Sequence, residues 1–154
     1  KGAVLNICIG QGEILVTPIQ VLNFTNLLAT NGSAGTPHFV MVDNLPRNVE
    51  PKLNKEIWAQ IKQDMENVII HENGTGKSAN PYLKNARVFG KTGTAENPHG
   101  RDHAWFIGWI SFKRELYSVV VLMENAGSGG TKAAPIAKQV FKSIHRHTTK
   151  QEKL

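Results

Sequence analysis

The residues best suited to chemistry in this sequence are four consecutive ones, Lys91, Thr92, Gly93 and Thr94. The lysine supplies a cation, the two threonines supply hydroxyl groups, and the glycine lets a ligand approach the backbone closely. On the edge of a strand, such a tetrad could bind a carboxylate and stabilise a developing oxyanion through backbone N–H groups. The same four residues also fit a strand near a turn with an exposed lysine, so the tetrad alone leaves both interpretations open.

The tetrad lies in the first of three strand-like runs, which cover residues 86–94, 104–112 and 116–124. A link of only three residues joins the second and third runs. Such a short link is typical of a hairpin, so we expect these two strands to be antiparallel neighbours. A shorter strand is predicted at residues 38–42.

Three helices are predicted from apolar periodicity and from capping residues. Thr17 and Gln20 form a capping box with Pro18 at the first helical position, and Asn54 caps the second helix. The helices are expected at residues 17–32, 54–71 and 131–147, and residues 148–154 are expected to form a flexible tail. Helices packed on an antiparallel sheet give an α+β fold, and no linker divides the chain into separate domains.

Hydrophobic residues make up 40% of the chain and charged residues 19%, a composition typical of a soluble globular domain. No apolar run approaches the ~18 residues that a membrane span requires, and no signal-peptide pattern opens the chain. The single cysteine, Cys8, excludes an internal disulfide. Because it lies between two isoleucines, we expect it to be buried.

The net charge of +6 is concentrated near the C-terminus, where six Lys and Arg residues and one carboxylate follow residue 130. These cations fit the solvated face of a terminal helix, since the helix dipole favours positive charge there. A second interpretation is a non-catalytic binding module, in which the basic helix docks an acidic partner or an anionic membrane surface. Nucleic-acid binding is not expected, because the basic residues are not interleaved with aromatic ones.

Two further patterns suggest binding sites but lack necessary residues. In the segment GTGKS at residues 74–78, a phosphate-binding loop would need a glycine at position 71, which is His71. We therefore expect this segment to be a flexible loop. His99 and His103 are close in sequence and Asp102 is near them, but the loop around them gives no helical spacing, so no metal site is predicted.

Several stretches of the sequence resemble one family. Lys91-Thr92-Gly93 resembles the K-T-G signature that penicillin-binding proteins and serine β-lactamases combine with S-x-x-K and S-D-N. The stretch IGQGEILVTPIQVLNFTNLLATNG, at residues 9–32, is similar to the segment that precedes K-T-G in class B penicillin-binding proteins. RDHAWFIGWI, at residues 101–110, and VVVLMENAGSGG, at residues 119–130, are similar to the end of elongation-type members, and the order of all the stretches agrees.

The resemblance implies a D,D-transpeptidase that cross-links peptidoglycan stem peptides through an acyl-serine intermediate and is the target of β-lactams. By position, Lys91 would place positive charge near the substrate carboxylate and help proton transfer, and Thr92 would hydrogen-bond that carboxylate. Gly93 would leave room for the substrate, and the backbone N–H of Thr94 would be one of two oxyanion-hole donors. The resemblance implies no cofactor and no metal ion.

Three further residues are secondary candidates for substrate binding. Arg101, Asp102 and His103 lie between the first two predicted strands and would border the cleft. They would either contact the stem peptide or only close the loop through an Arg–Asp pair.

The chain departs from the family pattern because none of its serines is followed by a lysine three positions later. Ser78-Ala79-Asn80 fits S-x-N by letter, but it follows residues 9–32, whereas the family's element precedes the corresponding segment. We therefore expect residues 1–154 to be the C-terminal part of one transpeptidase domain, without the nucleophile and inactive alone.

The resemblance also implies a bacterial parent protein that is anchored in the inner membrane and holds this domain in the periplasm. The expected partners are the missing N-terminal half of the domain, stem peptides, β-lactams and the cell-elongation machinery. Loss of that half would expose apolar surface, so self-association of the piece is expected.

Overall fold

The computed structural model describes residues 2–12, 14–38, 40, 51–113 and 115–151 of the chain. The α-helices in these ranges are α1 (Gly2–Cys8), α2 (Pro18–Ala29), α3 (Lys55–Ile70) and α4 (Ala133–Gln151). The strands are β1 (Ala86–Ala95), β2 (His103–Phe112) and β3 (Glu115–Met123), and a 3₁₀ helix spans Lys77–Ala79. The architecture is therefore α+β, as predicted, and each strand begins and ends within one residue of the predicted bounds.

The three strands form one antiparallel sheet in the order β1-β2-β3. Lys91 is paired with Ile107 and Gly93 with Trp105, in a register that runs without interruption along β1. The short connection from β2 to β3 confirms the predicted hairpin. Within the described residues, β1 and β3 are consequently the edge strands.

Helices cover both faces of the sheet, to which successive side chains of a strand point alternately. Val88, Phe106 and Ile110 belong to a core cluster shared with α4. Phe89 and Trp109, whose rings stack with centroids 4.8 Å apart, belong to a second cluster shared with α2 and α3. A sheet covered in this way holds its strands in fixed positions, which matters for any site built on β1.

The starts of α2 and α3 follow the predicted capping patterns. The N–H of Gln20 donates to the hydroxyl of Thr17, and the Gln20 side chain accepts in return from the Thr17 N–H at 2.8 Å. At the start of α3, Oδ1 of Asn54 accepts a hydrogen bond from the N–H of Ile57 at 2.9 Å. Such caps satisfy N–H groups that have no partner inside the helix, so local sequence fixes where both helices begin.

Two expectations near the ends of the chain are wrong. The apolar run that contains Cys8 forms α1, and Cys8 is exposed instead of buried. An apolar residue favours burial only where a partner surface covers it, and Leu5 and Ile9 are 67% and 75% exposed. At the other end, α4 continues to Gln151, so residues 148–151 are helical and not part of a flexible tail. The strand predicted at residues 38–42 falls mostly outside the described residues.

The cross-strand pair of Gly90 and Gly108 provides a test of this closely covered sheet. A Cβ atom at Gly108 would overlap the carbonyl oxygen of Phe89, so Gly108→Ala must displace the backbone of β1. We expect the substitution to lower the free energy of unfolding by about 1–3 kcal/mol, measured by urea titration with tryptophan fluorescence. Gly35→Ala is the control, because a Cβ at Gly35 meets no atom within 4 Å. An equal loss in both variants would contradict the packing argument.

Candidate active site

The tetrad lies on an edge of the sheet, in the C-terminal half of β1. Lys91 and Gly93 share the face of Phe89, on the side of α2 and α3, whereas Thr92 and Thr94 share the face on the side of α4. Lys91 and Thr94 are exposed, and the two residues between them are half-buried. The structure therefore brings all four predicted residues together on one accessible strip.

The backbone of Thr92 and Thr94 faces the open edge of the sheet. The carbonyl oxygen of Thr92 accepts a hydrogen bond from Nζ of Lys91 at 2.6 Å. The carbonyl oxygen of Thr94 accepts one from Nε2 of Gln11 at 2.9 Å. In an antiparallel ladder, a residue pairs with its neighbour through both its N–H and its C=O or through neither. The N–H of Thr94 therefore also points to the open edge, where a ligand can reach it.

Thr75 belongs to this site, although the sequence analysis does not select it. Its hydroxyl oxygen lies 2.8 Å from that of Thr92, across 17 positions of sequence. The turn that carries Thr75 is closely folded, since the N–H of Gly76 donates to the carbonyl of Val68 at 2.9 Å. A Cβ at Gly74 would overlap that same carbonyl. The loop expected at residues 74–78 is thus a hydrogen-bonded turn that leads into the 3₁₀ helix and contacts Thr92.

The glycine-rich turn before α4 packs directly on the tetrad. The N–H of Gly129 lies 3.4 Å from the hydroxyl of Thr94, to which it donates across 35 positions of sequence. A Cβ at Gly129 would overlap the carbonyl oxygens of Gly93 and Trp105, so a larger residue would have to move the strands. Sequence reasoning identifies this stretch as a turn, but it does not predict that the turn contacts the tetrad.

Arg101, Asp102 and His103 lie at the start of β2 and in the loop before it. The carbonyl of Asp102 accepts from the N–H of Gly127 at 2.8 Å, and Nδ1 of His103 accepts from the N–H of Asn125 at 3.0 Å. Within the described residues, Arg101 and Asp102 form no ion pair. Of the two alternatives for this loop, the Arg–Asp pair is therefore not seen in the described residues, and contacts with the turn before α4 hold the loop.

A cavity of about 520 Å³ lies beside the end of β1. Gln11, Glu96, Asn97 and Asp102 are among the residues that line it. Asp102 is thus the one of the three loop candidates that lines this cavity. Gln11 is a further site residue that the sequence analysis does not select, although it lies within the stretch at residues 9–32 that carries the family resemblance.

A bidentate ion pair fastens α3 to the start of β1. Nε and Nη2 of Arg87 donate to the two carboxylate oxygens of Glu66 at 2.8 and 2.6 Å. The hydrogen bond to Glu66, above all, raises the pKa of Arg87 above its ordinary value. Burial, followed by the charge of Arg87, lowers the pKa of Lys62. Because Arg87 is mainly exposed, the ion pair adds little stability, although it links α3 to the start of β1.

The basic residues of α4 lie on a helix whose inner face is core. Ala133, Ala137 and Phe141 are fully buried. Nζ of Lys138 lies 5.0 Å from the ring centre of Tyr82, close enough for a cation–π contact. The inner face of α4 is therefore part of the core. The exposed Lys and Arg side chains of α4 agree with their interpretation as the solvated face of a terminal helix.

Among the residues that the structure describes, no group of three or more His, Cys, Asp or Glu side chains is placed to hold a metal ion. His103 accepts a hydrogen bond from Asn125, and the N–H of His99 donates to the side chain of Asn97 at 3.0 Å. None of the helices in the described ranges combines the length and the apolarity that a membrane crossing needs.

A three-stranded antiparallel sheet covered by helices, with Lys-Thr-Gly-Thr on its edge strand, defines part of the penicillin-binding fold. The family described as penicillin binding protein transpeptidase domain matches residues 1–142. The chain belongs to this family, as its resemblance in sequence predicts.

Two curated relatives carry the name peptidoglycan D,D-transpeptidase MrdA. The protein from Haemophilus influenzae is 34% identical over 166 aligned residues, which cover 92% of this chain. The protein from Acinetobacter baumannii is 30% identical and also covers 92%. The chain spans about a quarter of the length of these relatives, 25% and 24% respectively.

Solved structures show the same likeness. The structure of Pseudomonas aeruginosa PBP2 in complex with WCK 5153 is similar with a TM-score of 0.70 and 32% identity, covering 93% of this chain and 32% of that one. The penicillin-binding protein PBP2 from Helicobacter pylori is similar with a TM-score of 0.73 and 29% identity, covering 92% and 27%. These similarities confirm the predicted class, a penicillin-binding transpeptidase near the PBP2 type.

The packing of Gly129 on the tetrad leads to a prediction about the strand itself. Gly129→Ala adds a methyl group where the carbonyl oxygens of Gly93 and Trp105 already lie. We expect it to displace β1, to change the amide NMR shifts of Gly93 and Thr94, and to lower the free energy of unfolding by about 1–3 kcal/mol. Ser128→Ala, at an exposed position of the same turn, should change that free energy by less than about 0.5 kcal/mol. Unchanged shifts at residues 93 and 94 in Gly129→Ala would show that the turn does not position the tetrad.

Proposed function

We propose that this chain is the C-terminal portion of a peptidoglycan D,D-transpeptidase domain and forms the substrate-side wall of its active site. The observation that carries the proposal is the open edge at the tetrad. There Nζ of Lys91 bonds the carbonyl of Thr92, the backbone of Thr94 faces the edge, and the hydroxyl of Thr92 is bonded to that of Thr75. The names of the relatives support the same reaction. Because the chain spans about a quarter of their length, we place the rest of the site on other segments of the whole protein.

An extended stem peptide would bind along the open edge of β1 as an additional strand. The N–H of Thr94 would donate to the carbonyl oxygen under attack, and one such donor lowers the barrier by about 3–4 kcal/mol. Lys91 and the hydroxyl of Thr92 would hold the terminal carboxylate through charge-assisted hydrogen bonds. Gly93 would leave room for the peptide, because it has no side chain on the face where Lys91 lies.

Thr75 would orient the hydroxyl of Thr92 for this task. A Thr92 hydroxyl that donates its proton to a carboxylate keeps its oxygen free to accept another hydrogen bond. The Thr75 hydroxyl, 2.8 Å away, is placed to donate that bond. The two threonines would then form a chain of two hydrogen bonds that leads from Thr75 through Thr92 to the ligand.

The proposed reaction needs a serine nucleophile from an S-x-x-K element, which we place outside this chain. The serine oxygen attacks the amide carbon of the D-Ala–D-Ala bond, the terminal D-Ala leaves with a proton, and an acyl-serine ester forms. An amine of a neighbouring stem peptide then attacks the ester, which forms the cross-link and releases the serine. Lys91 would assist proton transfer, no cofactor takes part, and β-lactams would acylate the same serine because they resemble the substrate.

The whole protein is proposed to be anchored in the bacterial inner membrane, to hold this domain in the periplasm and to act with the cell-elongation machinery. A similar protein, PBP2 from Helicobacter pylori, has been solved as a complex with MreC, with a TM-score of 0.72 and 30% identity to this chain. The rest of the domain would cover the apolar side chains of α1 and of the segment before α2, where Leu15 is 92% exposed. Self-association would cover them in the isolated chain.

Covalent labelling by a fluorescent penicillin tests the proposed function. We expect the whole protein, with its S-x-x-K segment, to be labelled, and we expect replacement of that serine by alanine to abolish the label. The 154-residue chain alone should gain no penicilloyl mass in intact-mass spectrometry, since none of its serines is followed by a lysine three positions later. Labelling of the isolated chain would contradict the assignment of the nucleophile to another segment.

The role proposed for Lys91 predicts a loss of acylation without a loss of stability. Because Lys91 is exposed, Lys91→Ala should change the free energy of unfolding by less than about 0.5 kcal/mol. The second-order rate constant for acylation of the whole protein should nevertheless fall roughly 100-fold or more. Lys142→Ala removes an exposed cation from α4 and should leave that rate constant unchanged. Equal rates in Lys91→Ala and wild type would exclude Lys91 from the site.

A further inference from the structure

The side chain of Gln11 reaches the edge of β1 from the opposite end of the sequence. Its Nε2 atom donates to the carbonyl oxygen of Thr94 at 2.9 Å, across 83 positions. Its Oε1 atom accepts from the N–H of Glu96 at 3.4 Å, across 85 positions. One side chain thus bonds the last residue of the tetrad and the residue that follows the end of β1.

These two bonds copy those that a neighbouring strand would make. At the edge of an antiparallel sheet, the C=O of one residue and the N–H two positions later point the same way, toward the N–H and C=O of a partner. The primary amide of Gln11 offers one donor and one acceptor to such a pair. It occupies the C=O of Thr94 and the N–H of Glu96, whereas the C=O of Thr92 accepts from Nζ of Lys91.

The backbone turn that presents Gln11 has a glycine on each side of it. Gly10 and Gly12 have φ angles of +78° and +104°, in the left-handed region that other residues rarely adopt. The N–H of Gln11 donates to the carbonyl of Asn6 at 2.9 Å, which anchors the turn on the end of α1. The position of the Gln11 side chain therefore follows from the backbone and not from chance contact of a long side chain.

We propose that Gln11 is a positioning residue that sets the direction of the Thr94 N–H. The inference rests on the proposed function of the tetrad. By holding the C=O of Thr94 and the N–H of Glu96, Gln11 restrains the backbone angles of residues 94 and 95.

The surroundings of Gln11 suit an amide and not a carboxylate. Glu96 and Asp102 line the cavity beside it, and Lys91 supplies the cation on the same strand edge. An ionised carboxylate at position 11 could accept from the N–H of Glu96 but could not donate to the carbonyl of Thr94, whereas a protonated carboxyl group can do both. Gln11→Glu therefore makes the proposed bonds depend on pH.

The test compares acylation of the whole protein by a fluorescent penicillin in wild type, Gln11→Met and Gln11→Glu. Gln11→Met keeps the length of the side chain but loses both bonds, so the acylation rate should fall roughly 10- to 100-fold at every pH. Gln11→Glu should show a similar loss near about pH 8, where the new carboxyl group is ionised. As the pH falls to about 4, below the ordinary glutamate pKa of about 4.3, this group gains a proton, and the rate should return toward the wild-type rate at the same pH.

The outcomes separate this inference from the proposed function. The positioning role is overturned, and the proposed function stands, in either of two cases. In the first, wild type is acylated and Gln11→Met keeps the wild-type rate. In the second, wild type is acylated and the ratio of the Gln11→Glu rate to the wild-type rate does not change with pH. If wild type is not acylated, the proposed function fails and this inference fails with it. If Gln11→Met does not fold, the pH dependence of the Gln11→Glu rate relative to wild type tests the positioning role. Thermal melts at both pH values then verify that Gln11→Glu is folded.

Discussion

The open edge of β1 is the constraint on which the rest of the structure depends. Backbone N–H and C=O groups at a strand edge need partners, which water, side chains or a ligand can supply. Lys91 satisfies the C=O of Thr92, and Gln11 satisfies the C=O of Thr94. Within the described residues these partners are side chains and not a further strand, so the N–H of Thr94 stays accessible. An edge satisfied in this way is stable without a ligand and still able to receive one.

An accessible edge can hold a fixed position because both faces of β1 are covered. The Arg87–Glu66 pair fastens α3 near the start of the strand. Near its end, the turn around Gly129 lies on the opposite face and contacts Thr94. Donors fixed in advance are effective in catalysis, since they need no rearrangement when charge develops. Coverage of the two faces is therefore the structural basis of the proposed role of Thr94.

Local patterns in the sequence predict the elements of this fold better than they predict its site. Apolar runs and the capping box at Thr17 concern neighbours within a few positions, and the three strands of the sheet and the starts of α2 and α3 derived from them are confirmed. Thr75, Gly129 and Gln11 contact the tetrad across 17, 35 and 83 positions, so no local rule selects them. The burial of Cys8 is mispredicted for a related reason, because burial depends on a partner surface and not on the residue alone.

The bond between Lys91 and the carbonyl of Thr92 indicates how the edge would respond to a ligand. An ammonium interacts more strongly with a carboxylate than with a neutral carbonyl, because the carboxylate carries a full charge. A substrate carboxylate bound as proposed would draw Lys91 away from Thr92 and leave that carbonyl free to accept from an N–H of the same extended peptide. Carboxylate binding and strand pairing would then reinforce each other. A peptide without the carboxylate would have to compete with Lys91 for the carbonyl, so the same contact that satisfies the empty edge would favour ligands that carry both groups.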